Sequence, residues 1–174
     1  MEAPDEQLML AYRDGDAGAF ETLYARHRGA LYRFVLRSLK DRGTAEELFQ
    51  EAWIRVIEAR ERYAPSARFS TWLYTIAHNL LVDHWRRKGL VLVDSDEEPA
   101  SGDDPAQRVE ARQTAARFLQ ALEALPPAQR EAFLLHEEAG LSVAEIAAAT
   151  GSNEEAAKSR LRYAMAKLKA VIDE

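Results

Sequence analysis

The stretch LSVAEIAAATGSNEEAAKSRLRYAMAKLK, Leu141 to Lys169, decides the fold. Ser142 is followed three residues later by Glu145, and Ser152 by Glu155. Each pair has the spacing of a capping box, so two helix starts are expected, with the turn glycine Gly151 between them. The first helix spans Val143 to Thr150. On a wheel of about 100° per residue, Ala157, Leu161, Ala164, Leu168 and Ile172 form one apolar stripe of the second. The opposite face carries Glu155, Lys158, Ser159, Arg162 and Lys169, with Tyr163 at its edge. A short helix, a glycine turn and a helix with an apolar back and a basic front make a helix-turn-helix. Its front suits base edges and phosphates, and the same residues also serve as an ordinary solvated face. Glu154 and Glu155 nevertheless stand at the end that would enter a groove, in a chain of formal net charge -6. Carboxylates favour the positive end of a helix dipole, and Glu155 fits a box with Ser152.

Working outward, 174 residues with 47% hydrophobic and 30% charged content suit one mid-sized or two small globular domains. Cysteine is absent, which excludes disulfides and thiolate metal sites. MEAPDEQLML opens acidic, without the basic start and apolar run of a signal peptide, and no apolar stretch approaches ~20 residues. A cytoplasmic protein without membrane insertion is therefore expected. His27, His78, His84 and His136 form no His-x-x-x-His pair, and no glycine-rich phosphate loop occurs. His136-Glu137-Glu138 has metal-ligand chemistry, but a solvated helix end is the simpler reading. Neither enzyme activity, nor a cofactor, nor a metal is expected.

Helical spacing recurs along the whole chain, so the fold class is all-α. One helix is expected over Asp16 to Lys40. Another runs from a Thr44–Glu47 capping box to about Arg60, and a third from Ser70 to about Lys88. Asp94, Asp96, Glu97, Glu98, Asp103 and Asp104, with Pro99, Gly102 and Pro105, mark residues 90–108 as a flexible acidic linker. Helices resume near Val109. Pro126-Pro127 opens another, and Gly140 closes it. Two small helical domains on a tether result, residues 1–89 and 109–174.

FSTWLYTIAHNLLVDHWRRK, Phe69 to Lys88, places Phe69, Leu73, Ile76 and Leu80 on one face, with Trp72 at its border. Thr71, Tyr74, Thr75, His78, Asn79 and Trp85 lie on the other, before Arg86, Arg87 and Lys88. Rings, hydroxyls, amides and a basic end suit unpaired bases, and large rings equally suit packing against another helix. The basic loop RERYAPSAR just before it favours the first reading.

Together AEELFQEAWIRV (Ala45 to Val56), RFSTWLYTIAHNLLVDHWRR (Arg68 to Arg87), and LPPAQREAFLLHEEAGLSVAEIAAATG followed by AAKSRLRYAMAKLK (Leu125 to Lys169) resemble the extracytoplasmic-function sigma factors of bacterial RNA polymerase. The resemblance implies sigma domain 2 over 1–89 and sigma domain 4 over 109–174. It implies core-polymerase binding on the β′ clamp coiled coil by Glu47, Leu48, Phe49, Gln50 and Glu51, with Trp53 adding apolar contact, and the β flap as a further polymerase contact. It assigns reading of the −10 element to Arg62, Tyr63, Ser66, Arg68, Phe69, Ser70 and Trp72, with Asn79, Arg86 and Arg87. It assigns the −35 element to Glu155, Lys158, Ser159, Arg162 and Tyr163. Promoter DNA and, as in many relatives, an anti-sigma factor are the further partners implied. Relatives often open the recognition helix with Gly-Thr-Val where this chain has Glu155-Ala156-Ala157, so the −35 preference does not carry over. The alternative is a stand-alone helix-turn-helix regulator, which leaves the Gln50-Glu51 helix and the basic loop unexplained.

Overall fold

The computed structural model describes residues 2–89 and 111–173. The expected linker, 90–108, lies outside the described residues. Among the described residues every regular element is helical, in two groups. The first is α1 (Asp5–Arg13), α2 (Ala17–Leu39), α3 (Arg42–Glu58), a 3-10 turn (Arg60–Arg62) and α4 (Phe69–Arg87). The second is α5 (Ala111–Ala124), α6 (Pro127–Glu137), α7 (Val143–Thr150) and α8 (Glu154–Ile172).

Helix ends follow local chemistry. Asp16 caps α2 by accepting from the Gly18 and Ala19 N–H groups at 3.0 and 3.3 Å. That helix stops at Lys40, a non-glycine residue at φ 61°. L-residues tolerate this region poorly, so a local conformational cost joins α2 to α3 through only two residues. The cap of α3 is Asp41, which accepts from the Thr44 N–H at 3.2 Å. Thr44 therefore sits inside the first turn, and the expected Thr44–Glu47 box is replaced. Ser142 and Glu145 do form the expected capping box of α7. The Ser152–Glu155 box does not form. Asn153 caps α8 by accepting from the Ala156 N–H at 2.8 Å, while the Ser152 hydroxyl turns back to Thr150 at 2.9 Å. Glu154 and Glu155 retain only their place in the first turn, at the positive end of the helix dipole.

Each group has its own apolar centre. Phe34, Phe69, Leu73 and Leu81 are buried in the first, and Leu122, Leu135, Ile146, Ala157 and Ala164 in the second. The α8 stripe is buried at Ala157, Leu161, Ala164 and Leu168, but Ile172, the final residue of the helix, is 59% exposed. In the first group α2 packs on α1 and α3, and α3 on α4; in the second, α8 packs on α5, α6 and α7. The groups also meet, α7 lying on α4 and α6 on α2.

Candidate nucleic-acid and partner interfaces

Three surfaces carry the residues singled out above. On α3, Glu47 and Gln50 are exposed and Glu51 is partly exposed, with Arg55 one turn on at 3.5 Å. Leu48 and Phe49 are half-buried. Trp53 is not on the surface. It is 5% exposed, with ring centroids 5.0 Å from Tyr24 and 5.9 Å from Phe20. The apolar contact expected of it is corrected to a core role, because α2 presents aromatic rings to that side of α3. The exposed apolar residues of this helix are Ile54 and Ile57, which the sequence reading passed over. Glu47, Leu48, Glu51 and Arg55 line a cleft of about 320 Å³ whose far wall includes His84 and Arg87 of α4. Residues assigned to polymerase and to DNA thus share one groove. Burial pushes the His84 imidazole down, and the Lys88 and Arg87 charges add to it against an opposing pull from Asp41, so the neutral ring is favoured.

The second surface is the loop before α4 and that helix's start. Arg62, Ser66 and Arg68 are exposed, as are Asn79, Arg86 and Arg87 farther along. Tyr63 and Phe69 are core residues, 3% and 0% exposed, and Ser70 is also buried. Tyr63 stands edge-on to the half-buried Trp72 at 5.1 Å. Tyr63 and Phe69, expected among the −10 residues, are enclosed by this aromatic cluster rather than presented at the surface. Two residues missed in the sequence position the loop. Glu6 of α1 accepts from the Phe69 N–H at 3.0 Å, capping a helix that has no side-chain cap of its own. Arg60 lies over the Tyr12 ring at 5.4 Å and fixes the 3-10 turn. The clue to α1 was present as Pro4 before Asp5 and Glu6, with Arg13 in the last turn.

The face of α4 expected to be open is largely covered. Tyr74 stands edge-on to Phe34 at 5.3 Å and is buried, as are Thr71 and Trp85. Glu145 of α7 accepts from the Thr71 hydroxyl at 3.1 Å and from Arg68 at 3.2 Å. His78 pairs with the buried Glu131 of α6. Glu138, just after α6, accepts from Arg33 at 2.8 Å and from Arg37. That pairing, and a hydrogen bond from His136 to the Leu141 carbonyl, engage two members of the His136-Glu137-Glu138 run.

The third surface is the front of α8. Glu155, Lys158 and Arg162 are exposed, while Ser159 and Tyr163 are half-buried. The Arg162 guanidinium lies 5.2 Å from the Tyr163 ring centre, which holds a long side chain close to the helix. Leu161 and Leu168 on the back seat the helix.

Comparison with known proteins joins the first and third surfaces in one architecture. Residues 23–90 match Sigma-70 region 2, and residues 115–168 match Sigma-70, region 4. The RNA polymerase sigma factor CarQ of Myxococcus xanthus is 36% identical over 95% of this chain and 96% of its own length. The ECF RNA polymerase sigma factor SigE of Mycolicibacterium smegmatis is 33% identical over 92% of this chain, which spans 66% of that longer protein. CnrH, solved in complex with the cytosolic domain of CnrY, superposes with a TM-score of 0.72 at 27% identity, covering 97% of both chains. This last comparison corrects the expectation of a simply cytoplasmic protein. The domain on CnrH is only the cytosolic part of CnrY, and a chain's lack of apolar segments says nothing of where its partners lie. What stands is narrower: among the described residues no helix is long and apolar enough to cross a membrane.

Proposed function

The chain belongs to the extracytoplasmic-function sigma factors of bacterial RNA polymerase, and from that premise we propose how its surfaces divide the work. As a sigma factor it binds core polymerase and recognises promoters; nucleotide polymerisation is the work of the core enzyme, and this chain is not itself an enzyme. The observation that carries the reading is the occurrence of Sigma-70 regions 2 and 4 in order along one chain. Residues 1–89 act as domain 2 and 109–174 as domain 4.

Core polymerase docks on α3. Glu47, Gln50 and Glu51 supply polar and charged contacts to the β′ clamp, with Leu48 and Phe49 beneath them and Ile54 and Ile57 adding exposed apolar area. Arg62, Ser66, Arg68 and Trp72 meet the −10 element around a flipped base, with Tyr63, Phe69 and Ser70 as the walls behind them. Flipping costs a few kcal/mol of lost stacking, which a preformed aromatic wall offsets. Asn79, Arg86 and Arg87 follow the adjoining backbone. Lys158, Ser159, Arg162 and Tyr163 read the −35 element, with Glu155 accepting from a cytosine amino group.

A chain of net charge -6 grips DNA weakly alone. Polymerase holds both readers at a fixed separation and raises their effective concentration, so two weak sites act as one strong one. A partner protein of the kind the anti-sigma factor NepR is to the sigma factor RpoE of Bartonella quintana completes the set, occupying the same surfaces. Run-off transcription with purified core polymerase and a promoter library tests the reading. Specific initiation is expected. Sequence-specific duplex binding without polymerase, and no initiation with it, would instead mark a stand-alone regulator.

A further inference from the structure

Arg130 of α6 is a cation that its protein surroundings do not complete. It is 6% exposed, its Nη1 donates to the Glu123 carbonyl at 2.9 Å, and its Nε has no partner among the described residues. Glu123 and Glu131 are near enough to favour its charge, but Glu131 is already paired with His78. A guanidinium keeps its proton at neutral pH, so burial with incomplete pairing carries a cost that a bound anion would offset. Arg130 also lines a cleft of about 300 Å³, together with Lys40, His84, Lys88, Glu123 and Pro127. From this arrangement we infer a binding site for a small anion that bears phosphate groups.

The lining selects that chemistry. Lys40, Lys88 and Arg130 set three positive charges against the one carboxylate of Glu123, an excess of two. A phosphate group carries about two negative charges at neutral pH and meets that excess, whereas a single carboxylate meets half of it. The guanidinium fork also matches pairs of phosphate oxygens. Helix α6 begins at the cleft, with Pro127 as its first residue. It has no side-chain cap and no acidic residue in its first turn, so the positive end of its dipole is left without an anion. The volume lies at the small end of ligand clefts, which suits a phosphate or pyrophosphate group rather than a polypeptide segment.

Lys40 and Lys88 are the C-caps of α2 and α4, where cations ordinarily offset the negative end of a helix. That role accounts for the two lysines but leaves the buried Arg130 unexplained, and only an anion in the cleft answers all three. None of the three belongs to the sets assigned above to polymerase or promoter. The site and that division of surfaces therefore stand or fall separately.

The test uses the full chain and inorganic pyrophosphate as the probe, titrated by calorimetry at fixed ionic strength beside sodium acetate. Saturable binding at one site per chain is expected, with acetate weaker by about tenfold or more. Lys40→Asn removes one charge and still tolerates φ 61°, and Lys88→Gln removes another; each should weaken pyrophosphate about tenfold, the effect of one charged hydrogen bond. Arg28→Gln, an exposed cation on α2 far from the cleft in sequence, should leave the affinity within about twofold. Arg130→Lys keeps the charge without the fork and should also bind more weakly; if it fails to fold, the two lysine variants decide. Equal affinity in the parent and both lysine variants would mean diffuse ion association and would overturn the site. Displacement of pyrophosphate by a DNA duplex of unrelated sequence, lost in Lys40→Asn, would give the cleft to the DNA backbone and overturn the small anion.

Discussion

Trp53 distinguishes a docking surface from a core wall. Its indole is 5% exposed and stands against three rings, Phe20 at 5.9 Å, Tyr24 at 5.0 Å and Phe49 at 6.5 Å. Truncation to alanine removes a large buried aromatic and leaves a hole among residues that belong to two helices. Such substitutions cost about 3–5 kcal/mol. With a urea slope of about 1–3 kcal/mol/M, the denaturation midpoint should fall by roughly 2 M. Trp53→Phe behaves differently. The indole Nε1 finds no partner among the described residues, so its removal relieves a buried unpaired donor that costs about 1–3 kcal/mol. That gain offsets much of the lost ring area, and the net change should stay within about 1.5 kcal/mol. Urea titration followed by circular dichroism reads the stability, and competition with labelled parent for core polymerase reads the docking. Trp53→Phe should keep core affinity within about twofold. A Trp53→Ala protein that keeps its midpoint but loses polymerase would refute the core assignment.

Two backbone positions carry opposite expectations. At Gly151 (φ 66°) a Cβ would point into open space, with nothing within 4 Å, so Gly151→Ala should cost about 1 kcal/mol through conformation alone, and Gly151→Asn less. Lys40→Gly should gain about 0.5–1 kcal/mol by relieving the same conformation at φ 61°; urea midpoints check both, and equal loss in the alanine and asparagine variants would point to crowding instead. Glu155→Ala should change the base preferred at one position of the −35 element in a promoter-library selection, and an unchanged preference would remove the proposed cytosine contact. Burial pushes the Glu145 carboxyl up, but hydrogen bonds from Ser142 and Thr71 and the Arg68 charge outweigh it, leaving it below its ordinary 4.5. Because the folded-state value is depressed, its contribution is present above pH 4.5 and lost as pH falls through that lowered value. Urea midpoints of the parent and Glu145→Gln should therefore differ above pH 4.5 and converge in acid, and a difference that persists below that range would count against it.

The helix-turn-helix was legible because its signals are local. Val143 to Thr150 agrees residue for residue, and four of the five stripe residues on α8 are buried. Caps were legible as to place but not always as to residue. Asp41 and Asn153 took the roles expected of Thr44 and Ser152, since several oxygen-bearing side chains at adjacent positions satisfy the same N–H groups. The wheel failed most on α4. Periodicity separates a helix's two faces, yet cannot tell that Tyr74 and Trp85 are covered by a second partner rather than by water. Tyr63 and Phe69 entered the −10 set through the resemblance, whereas the wheel had already put Phe69 on the apolar face, and both rings are buried. Glu6 was invisible because it caps a helix sixty-three residues away in the chain. The long-range ion pairs of Glu131, Glu138 and Glu145 share that character, for no spacing rule connects them to Arg33, Arg37, Arg68 or His78.

Those pairs also change what the acidity of the chain means. Net charge of -6 describes the sum over all groups, whereas DNA affinity depends on which cations face it. Glu138 and Glu145 are placed against three arginines of the N-terminal half, so these cations already have anionic partners. Of the three, only Arg68 belongs to the segment proposed for the −10 element, and a phosphate that reached it would compete with the Glu145 carboxylate. With the Arg68 side chain 62% exposed, solvent and salt screen that pair, so the competition is weak and the net charge of -6 remains the larger obstacle to solitary binding.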